Sequence, residues 1–431
     1  MIKILESVSR ERNREREMEY SDHHFDVIVV GAGIMGSSTA YQTAKRGHKT
    51  LLLEQFDFLH HRGSSHGESR TTRATYPESY YSRMVMESSQ LWQEAESEIG
   101  YKVYFKTTHL DMAPSNDKSL KAVIKNCQSN SIPNQILDST QVSDHFSGKI
   151  QIPENWVGLV TDLGGVLKPT KAVAMYQTLA VQNGATLKDN VEVREIKRES
   201  INGGGIVVYT ANGLQFRGRK CVVTVGAWMK KLVKSVSGLD LPIQPLETTK
   251  CYWRIKPGHE SQFTIDANFP TFNSYGKPYI YGTPSLEYPG LIKVAINDGF
   301  SCDPDKRPWE ATNGTALCSL KQWIKERFAG WVETEEGPVA TLSCMYSMTP
   351  DEDFVIDFLG GEFGEDVVIG GGFSGHGFKM APVVGKVLAD LVIDDGEAKG
   401  GSGVELKHFR VGRFVENGGK GNVKDFEDQV K

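Results

Sequence analysis

Three glycines in the spacing Gly31-x-Gly33-x-x-Gly36 follow the apolar run FDVIVV and open the segment GAGIMGSSTAYQTAKRG. In this arrangement the first glycine permits a tight turn, the second lets backbone N–H groups approach a pyrophosphate, and the third lets a helix pack on the strand. A second apolar run, KTLLLEQ, ends at Glu54, whose carboxylate can accept hydrogen bonds from ribose hydroxyls and would repel a 2′-phosphate. The pattern predicts a strand–helix–strand unit that binds a dinucleotide other than NADP. The predicted contact residues are Gly31, Ala32, Gly33, Ile34, Met35, Gly36 and Glu54.

A second glycine-rich loop, in VVIGGGFSGHGFKMAPVVGKVLADL, also leads from an apolar run into a helical pattern. Gly371, Gly372, Gly375 and Gly377 would let the backbone pass close to a flat ligand, with a helix N-terminus aimed at it. A reduced flavin carries negative charge at N1 and C2=O, and a helix N-terminus stabilises such charge. This loop favours FAD over NAD, which the first motif alone does not distinguish. For either loop, glycines kept only for packing are the alternative.

A cysteine stands in the run SCMYSMTPDEDFVID, which is strand-like up to a Thr-Pro-Asp turn and then resumes as a strand. The six cysteines are scattered, with no CxxC and no paired histidine spacing, so we expect neither a disulfide framework nor a zinc site. Besides Cys344, we interpret the cysteines as small buried hydrophobic residues. These are Cys127, Cys221, Cys251, Cys302 and Cys318.

Charge and hydropathy exclude several classes of partner. The formal net charge of −5 gives no reason to expect a nucleic acid or an anionic membrane. No apolar run approaches the roughly 20 residues that span a bilayer, and the N-terminal segment lacks the apolar core of a signal peptide. We therefore expect an intracellular protein, in the cytosol or in peroxisomes, although the terminus EDQVK is not an SKL-type address.

The length of 431 residues indicates two or three domains, or two that interleave. Residues 1–22, rich in Arg and Glu, are expected to be a flexible extension, in which Met18 is an alternative start. Residues 80–130 are predicted to be mostly helical, 150–235 to alternate helix and strand, 240–300 to form an antiparallel sheet, and 305–333 to be helical. The run EAKGGSG has the composition of a linker.

Five segments together resemble the monomeric sarcosine oxidase family of covalent FAD amine oxidases, which includes pipecolate and N-methylamino-acid oxidases. In chain order they are GAGIMGSS, GSSHGESRTTR, VGAW, CMYSMTPDEDFVID and GGGFSGHGFK, and the likeness is greatest to plant members. The resemblance implies an α/β fold. In it, a Rossmann-like FAD-binding domain of the glutathione-reductase/D-amino-acid-oxidase type interleaves with an α+β substrate domain built on an antiparallel sheet.

Domain bounds follow from this interpretation. The FAD-binding domain is predicted to comprise 23–84, 152–237 and 345–395, and the substrate domain 85–151 and 238–344, with a C-terminal tail at 396–431.

The resemblance implies one covalently bound FAD per chain, because a cysteine matching Cys344 forms a thioether to the 8-methyl carbon in this family. Cationic neighbours that lower the thiol pKa would favour the bond. The other residues implied to contact the cofactor are Ser65, His66, Arg70, Gly375, His376, Gly377 and Lys379.

The implied reaction transfers a hydride from the carbon next to a secondary amine nitrogen to flavin, leaving an imine, and dioxygen then becomes hydrogen peroxide. Arg73 and Lys379 match a clamp for the substrate carboxylate, with Glu78 as a counter-ion for Arg73. Lys293 matches a lysine that activates oxygen. The remaining implied catalytic residues are Arg70 and His66, beside the flavin ring, and Tyr281, near the substrate.

Asn297 departs from the pattern, because the family usually has a histidine at this position. An amide does not ionise near neutral pH, so substrate choice can differ, and the alternative is a divergent member that oxidises a bulkier cyclic amine or alkaloid precursor. An NAD-dependent dehydrogenase and a flavin-binding protein without turnover are the other hypotheses. The expected partners are a secondary amine and O2, with no nucleic acid, no membrane and a monomeric chain.

Overall fold

A computed structural model of the protein describes residues 24–199, 204–286, 288–307, 314–393 and 403–424. The predicted extension 1–22, including Met18, and residues 397–402 of the predicted linker lie outside the described residues. Within these ranges, no helix has both the length and the apolar character that crossing a bilayer requires.

The strands, in chain order, are β1 (His24–Val30), β2 (Thr50–Leu53), β3 (Arg70–Arg73), β4 (Tyr104–Pro114), β5 (Gln135–Leu137), β6 (Trp156–Leu167), β7 (Thr186–Lys188), β8 (Val193–Arg198), β9 (Ile206–Thr210), β10 (Gln215–Val223), β11 (Gln244–Arg254), β12 (Thr271–Ser274), β13 (Ile280–Thr283), β14 (Leu291–Ile296), β15 (Phe300–Ser301), β16 (Ala340–Met348), β17 (Val355–Phe358) and β18 (Val367–Gly371). The α-helices are α1 (Ile34–Lys45), α2 (Ser79–Ile99), α3 (Lys118–Ser129), α4 (Ser139–His145), α5 (Pro169–Gln182), α6 (Met229–Ser237), α7 (Gly314–Arg327), α8 (Ala381–Ile393) and α9 (Gly412–Glu416).

The first sheet has the strand order β17-β18-β10-β1-β2-β7, in which all neighbours are parallel except β17 and β18. Off this order, β9 pairs with β10 and β8 pairs with β9, both antiparallel. Strand β1 is buried on both faces: Val27 and Val29 belong to one hydrophobic core, whereas Ile28 and Val30 belong to another. A strand covered on both sides reads as a continuous apolar run, which is why FDVIVV predicted it correctly. Helix α1 follows at the turn, and Gly47, with φ +85°, stands just beyond its end.

The second sheet has the order β15-β11-β14-β13-β12-β4-β6-β3, with β16 also paired to β11. Its pairs are antiparallel except β12 with β4. Alternate residues divide between its faces, so that Trp253 and Phe272 belong to the hydrophobic core that includes Trp323 of α7, while Lys250 and Asn273 face the other way and line a cavity. The predicted antiparallel sheet and the mixed α/β architecture are thus confirmed.

The prediction that residues 80–130 are mostly helical is wrong for Tyr104–Pro114, which form strand β4. Both flanking helices, α2 and α3, are present. Helix α7 spans Gly314–Arg327, so residues 305–307 and 328–333, predicted helical, are not, and 308–313 lie outside the described residues.

Two strands inside segments assigned to the FAD-binding domain pair within the second sheet instead. They are β3 and β6, which pair with each other. The domain bounds stay a prediction, but the chain crosses between the sheets at these strands more often than those bounds imply.

The segment 403–424, predicted to be a tail, packs on the body of the protein. Phe409 and Phe414 are buried, and Arg413 forms an ion pair with Asp351, with 2.7 Å between Nε and Oδ2. The segment thereby holds the turn that follows strand β16.

Candidate active site

A single cavity of about 630 Å³ lies between the first glycine turn, the cavity face of the second sheet and the second glycine loop. All the predicted site residues line it except Gly36. The fold therefore brings together side chains from both halves of the chain, while their individual roles remain predictions.

The first glycine turn is packed so closely that side chains have no room. Gly31 has φ +97°, and a Cβ there would lie 2.7 Å from the carbonyl oxygen of Thr224. A Cβ on Gly36 would lie 1.9 Å from the carbonyl oxygen of Gly31. Gly36 therefore lies beneath the turn, where it lets α1 pack against the backbone, as the motif predicts.

Glu54 lies at the end of β2 with its carboxylate turned back toward this turn. Its Oε2 accepts a hydrogen bond from the Ala32 N–H at 2.8 Å, and its Oε1 accepts one from the Phe56 N–H at 3.1 Å. Ser65 approaches the same turn, and its Oγ accepts from the Ile34 N–H at 3.0 Å. A carboxylate and a hydroxyl thus line the cavity where the first turn of helix α1 begins.

Cys344 lies on β16 opposite Thr248 of β11, with its side chain buried. Its Sγ is 3.5 Å from Nη2 of Arg70, which belongs to the opposite end of the second sheet. Burial alone would raise the pKa of this thiol. The positive charge of Arg70 and the neighbouring His66 and Lys250 outweigh burial, and the pKa falls to about 5. The described residues thus hold Cys344 as a thiolate at neutral pH.

Arg70 is fixed by backbone carbonyls. Its Nη1 donates to the Ser69 carbonyl at 2.9 Å, and its Nη2 donates to the carbonyls of Ser64 at 2.9 Å and His66 at 2.7 Å. Because no carboxylate neutralises it in these contacts, the guanidinium charge acts on Cys344. The ring nitrogens of His66 are buried without a hydrogen-bond partner among the described residues, which leaves them for a ligand.

Lys293 lies on β14 and is 3% exposed. Its Nζ donates to the carbonyl oxygen of Ser69 at 3.0 Å and to the Ser69 hydroxyl at 2.9 Å, and it lies 5.7 Å from the ring centre of Tyr281. Burial, followed by the charges of Arg70 and Lys250, lowers the pKa of Lys293 well below its usual value. Strand alternation turns this lysine into the cavity.

Arg73 and Lys379 meet at Tyr76, a residue that sequence reasoning missed. The Arg73 guanidinium lies 4.3 Å from the Tyr76 ring centre, and the Lys379 ammonium donates to the Tyr76 hydroxyl at 2.8 Å. The buried Nη1 of Arg73 has no hydrogen-bond partner in the described part of the chain. Burial and the charge of Arg73 lower the pKa of Lys379 well below its usual value. Two cations thus converge on one place, with one donor group free for an anion.

The prediction that Glu78 is the counter-ion of Arg73 is wrong. Glu78 Oε1 lies 2.9 Å from Nζ of Lys424, in the C-terminal segment. The buried carboxylate whose charge raises the pKa of Arg73 is instead Asp111, on β4. Burial would raise the pKa of Asp111, but His109 and then Arg73 lower it to about 2.

Asp111 Oδ1 accepts hydrogen bonds from His109 at 3.2 Å, Asn273 at 3.1 Å and Tyr275 at 3.1 Å. Asn273 and Tyr275 also line the cavity. The pattern THLDMAP gave no sign of this network, because its partners lie on a strand more than a hundred residues away.

His376 and Asn297 also line the cavity. Nε2 of His376 donates to the Glu352 carbonyl at 3.0 Å, and Nδ1 lies 3.3 Å from the Tyr76 hydroxyl. Burial, followed by the charge of Lys379, lowers the pKa of His376 well below its usual value. Asn297 is exposed just beyond β14, at the edge of the cavity, and its backbone N–H donates to the Tyr279 carbonyl at 2.9 Å. Of the two, only His376 has its side chain fixed by the hydrogen bonds described.

Lys250 is a further lysine in the cavity, one that the sequence analysis did not single out. Its Nζ donates to the hydroxyls of Thr248 and Tyr346, each at 3.0 Å. The available signal was alternation along LETTKCYWR, in which Thr248, Lys250 and Tyr252 share one strand face while Cys251 and Trp253 share the other.

The prediction of buried cysteines holds for Cys127, Cys221 and Cys251, but it is wrong for Cys302, which is half-buried, and Cys318, which is exposed. Nowhere in the described ranges do three or more metal-ligating side chains cluster in a way that could hold a metal ion.

Known proteins match the chain over nearly its whole length. The model of the family described as FAD dependent oxidoreductase matches residues 26–391. A probable sarcosine oxidase of Arabidopsis thaliana is 65% identical over 96% of this chain and 98% of its own length. The peroxisomal sarcosine oxidase of Homo sapiens is 36% identical over 91% of this chain and 97% of its own, and the monomeric sarcosine oxidase of Bacillus sp. (strain B-0618) is 34% identical over 86% and 92%.

Among solved structures, the open form of NikD, an unusual amino acid oxidase essential for nikkomycin biosynthesis, superposes with a TM-score of 0.75. It is 24% identical and covers 89% of this chain and 96% of its own, so it shows a shared fold. Taken with the family match and the sequence relatives, the chain belongs to the FAD-dependent oxidoreductases and, within them, to the sarcosine oxidase family.

Proposed function

We propose that the protein is an FAD-dependent oxidase of secondary amines that carry a carboxylate, such as sarcosine, pipecolate and other N-methyl or cyclic amino acids. The observation that carries the proposal is the free, buried Nη1 of Arg73 beside the ammonium of Lys379, in the same cavity as Lys293 and Cys344. Two converging cations without a protein carboxylate between them suit a bound carboxylate.

The residues present fit FAD. Gly31 and Gly33 add no side chain over the turn. Glu54 and Ser65, which accept hydrogen bonds from N–H groups of this turn, line the part of the cavity where ribose hydroxyls and phosphate oxygens would bind. The unpartnered ring nitrogens of His66 and the loop at Gly375 offer polar contacts further along the cavity. Bound there, FAD would supply the hydride acceptor and pass the electrons to dioxygen, which leaves as hydrogen peroxide.

Arg73 and Lys379 would bind the substrate carboxylate and so fix the carbon next to the amine nitrogen. Tyr76 contacts both cations, Arg73 through its ring and Lys379 through its hydroxyl. The negative charge of Asp111 partly compensates that of Arg73. A bidentate guanidinium restricts the rotation of a carboxylate better than a single ammonium does. Orientation of the reacting carbon is the contribution that these residues make.

Lys293 would favour the reaction with oxygen. A buried ammonium stabilises the negative charge that develops when dioxygen takes its first electron. Ser69 holds the ammonium by two contacts, so its position in the cavity is set before the reaction.

Cys344 would carry the covalent link to FAD. The thiolate form is the nucleophile, and Arg70 maintains it in the unligated protein. FAD bound beside Cys344 would offer its electrophilic 8-methyl carbon to this thiolate. The thioether would replace one C–H bond of the methyl group, and the proton and two electrons released would pass to dioxygen.

Anaerobic titration of the purified yellow protein with sarcosine and L-pipecolate tests the proposal. We expect flavin absorbance to bleach with a carboxylate-bearing secondary amine and to return, with hydrogen peroxide, when air is admitted. Added NAD should change nothing, which separates this function from a dehydrogenase. Absence of bleaching by every secondary amine of the panel would contradict the proposal and favour a flavoprotein without turnover.

A divergent activity toward a bulkier cyclic amine is the second candidate, and Asn297 favours it. An amide in place of an imidazole alters hydrogen bonding in the wall beside Tyr279 without disturbing the proposed clamp. Including larger cyclic amines with and without a carboxylate in the same titration distinguishes the two candidates.

We infer further that the protein works as a monomer inside the cell, in the cytosol or in peroxisomes. The names of the bacterial and human relatives, monomeric and peroxisomal sarcosine oxidase, support this inference. Size-exclusion chromatography with light scattering, and fluorescence imaging of the tagged chain, would test it.

A further inference from the structure

Lys250 is a buried ammonium with no ion-pair partner in the part of the chain that the structure describes. The residue is 5% exposed, and its Nζ has only the two hydroxyl acceptors of Thr248 and Tyr346. The ammonium lies 4.4 Å from the ring centre of Tyr346 and 5.3 Å from that of Tyr281. An ammonium has three donors, so one N–H lacks a protein acceptor in these contacts.

A buried cation normally pairs with an anion, because removing it from water costs several kcal/mol that hydroxyl groups offset only in part. Cys344 is an acidic side chain close enough for the Lys250 charge to help lower the pKa of its thiol. A thioether at Cys344 carries no charge, so the proposed flavin link would remove that anion. The cation would then face the cavity with hydroxyls alone as partners.

The strand pattern fixes this position. Strand β11 pairs Thr248 with Cys344 and Tyr252 with Lys293, and Lys250 lies between them on the same face. The pairing register of β11 therefore places Lys250 in the cavity wall. Its position is set by a strand and not by a loop.

The cavity thus has two cationic positions. At one position, the charge of Arg73 opposes the burial that raises the pKa of Tyr279. At the other, the Lys250 ammonium lies over the ring of Tyr281. Tyr281 lies on β13 and Tyr279 immediately precedes that strand, and both line the cavity. Residues two apart in an extended chain are separated by about 7 Å. A short-chain dicarboxylate matches that spacing, whereas sarcosine has one carboxylate to offer.

We infer that Lys250 determines substrate specificity by binding a second carboxylate, so that the preferred substrates are dicarboxylic secondary amino acids of the N-methylglutamate or N-methylaspartate type. The inference rests on the proposed function and narrows its substrate class. Arg73 and Lys379 hold the carboxylate next to the reacting carbon, and Lys250 holds the one on the side chain.

The experiment compares kcat/KM for N-methyl-L-glutamate, N-methyl-L-aspartate, sarcosine and L-pipecolate in the wild-type holoenzyme and in Lys250→Met and Lys250→Arg. We expect the wild type to prefer a dicarboxylic substrate to sarcosine. Lys250→Met should reduce that preference about tenfold or more, because it removes a charge-assisted hydrogen bond, and Lys250→Arg should restore part of it. Lys149→Met is the matched control, because Lys149 is also buried but lies outside the cavity lining.

A second readout does not need turnover. Thioether analogues, in which sulfur replaces the amine nitrogen, perturb flavin absorbance without reduction, so Kd can be measured for 2-(methylthio)acetate and 2-(methylthio)pentanedioate. Tighter binding of the dicarboxylate that is lost in Lys250→Met supports the inference. Equal binding of the two, or a preference that survives in Lys250→Met, overturns it. Failure of every amine to reduce the flavin would instead contradict the proposed function, and these Kd values would still decide the role of Lys250.

Discussion

The thiol of Cys344 depends on residues that its own strand does not supply. Arg70 lies in β3, at the far edge of the second sheet, yet its guanidinium is the neighbour that most lowers the thiol pKa. The carbonyls of Ser64, His66 and Ser69 hold it there, because a loop wraps around the guanidinium before the strand begins. The reactivity of the cysteine is therefore a property of its surroundings.

Replacement of Arg70 by Met should raise the pKa of Cys344 from about 5 toward the ordinary thiol range. Flavin-free protein, made under riboflavin limitation, allows the alkylation rate with iodoacetamide to be followed against pH. We expect a midpoint near pH 5 in the wild type and a midpoint at least two units higher in the variant. Equal midpoints would show that Arg70 does not set the thiolate.

Cys344→Ser should bind FAD without a covalent bond, because serine lacks a nucleophile of comparable acidity. Acid precipitation followed by absorbance of pellet and supernatant measures the bound fraction. We expect the wild-type pellet to stay yellow and the variant to release its flavin, while Cys302→Ser serves as a control that keeps the colour. A colourless wild-type pellet would end the thioether proposal.

Lys293→Met should slow reoxidation of the reduced flavin by oxygen, about a hundredfold or more, because the developing negative charge loses its ammonium. Stopped-flow mixing of reduced enzyme with oxygenated buffer measures this rate separately from amine oxidation. Since the Lys293 pKa is lowered, its charge is present only below that pKa. The rate should therefore fall as pH rises through a value well below 10.5, and Lys293→Arg should extend the fast reaction to higher pH.

Sequence reasoning reached the residues that carry a family pattern, and it missed those whose importance depends on distant partners. Arg73 and Lys379 could be named from flanking motifs, but Tyr76, which joins them, is one tyrosine among fifteen. The assignment of Glu78 to Arg73 failed because nearness in sequence is a poor guide to charge pairing in a loop. Lys424, the actual partner of Glu78, is contributed by the C-terminal segment.

Among the elements, the turn between β1 and α1 tolerates the least change. Gly36→Ala would place a methyl group 1.9 Å from the Gly31 carbonyl oxygen and 2.6 Å from the Thr224 hydroxyl, and the backbone at Gly31 cannot move aside as a flexible side chain could. We expect the variant to lose bound flavin and to accumulate poorly. Gly47→Ala is the control, because its added methyl meets nothing within 4 Å, although its φ of +85° costs about 1 kcal/mol in an alanine. Absorbance at the flavin band per protein measures the outcome.

Strands whose sequences alternate between apolar and polar residues could be predicted. Strand β4 buries polar side chains, lacks this alternation and was missed. The sequence YFKTTHLDMAP of β4 shows no apolar period, because His109 and Asp111 are completely buried in the network behind Arg73. A strand whose inward face is polar looks like a loop unless its partners are known. The helices on either side were found because their apolar spacing is conventional.

At the scale of the whole molecule, the C-terminal segment closes the structure around the turn after β16. Arg413 and Asp351 form a buried pair, and Lys424 lies 2.9 Å from Glu78 and 3.2 Å from Asp353. These contacts join residues near the start of α2 to the strand that carries Cys344. The predicted tail is thus a structural part of the site.

Arg413→Met should lower the free energy of unfolding by about 3–5 kcal/mol, because it leaves Asp351 buried without its cation. Burial would raise the Asp351 pKa, but Arg413 lowers it overall, so the stabilisation is complete above the ordinary carboxyl range and is lost as pH falls through the lowered value. Chemical denaturation at pH 7 and near pH 3 should show the difference between variant and wild type shrinking in acid. A constant difference would assign the effect to packing.

The contact between Arg70 and Cys344 joins positions 274 residues apart. During synthesis the first glycine turn leaves the ribosome early, whereas β16, the second glycine loop and the C-terminal segment 403–424 leave it last. Premature stop codons anywhere upstream of β16 would yield products without this sulfur environment. We therefore expect covalent flavin attachment to follow completion of the chain. The supply of flavin in a cell would then determine what fraction of completed chains carries the cofactor.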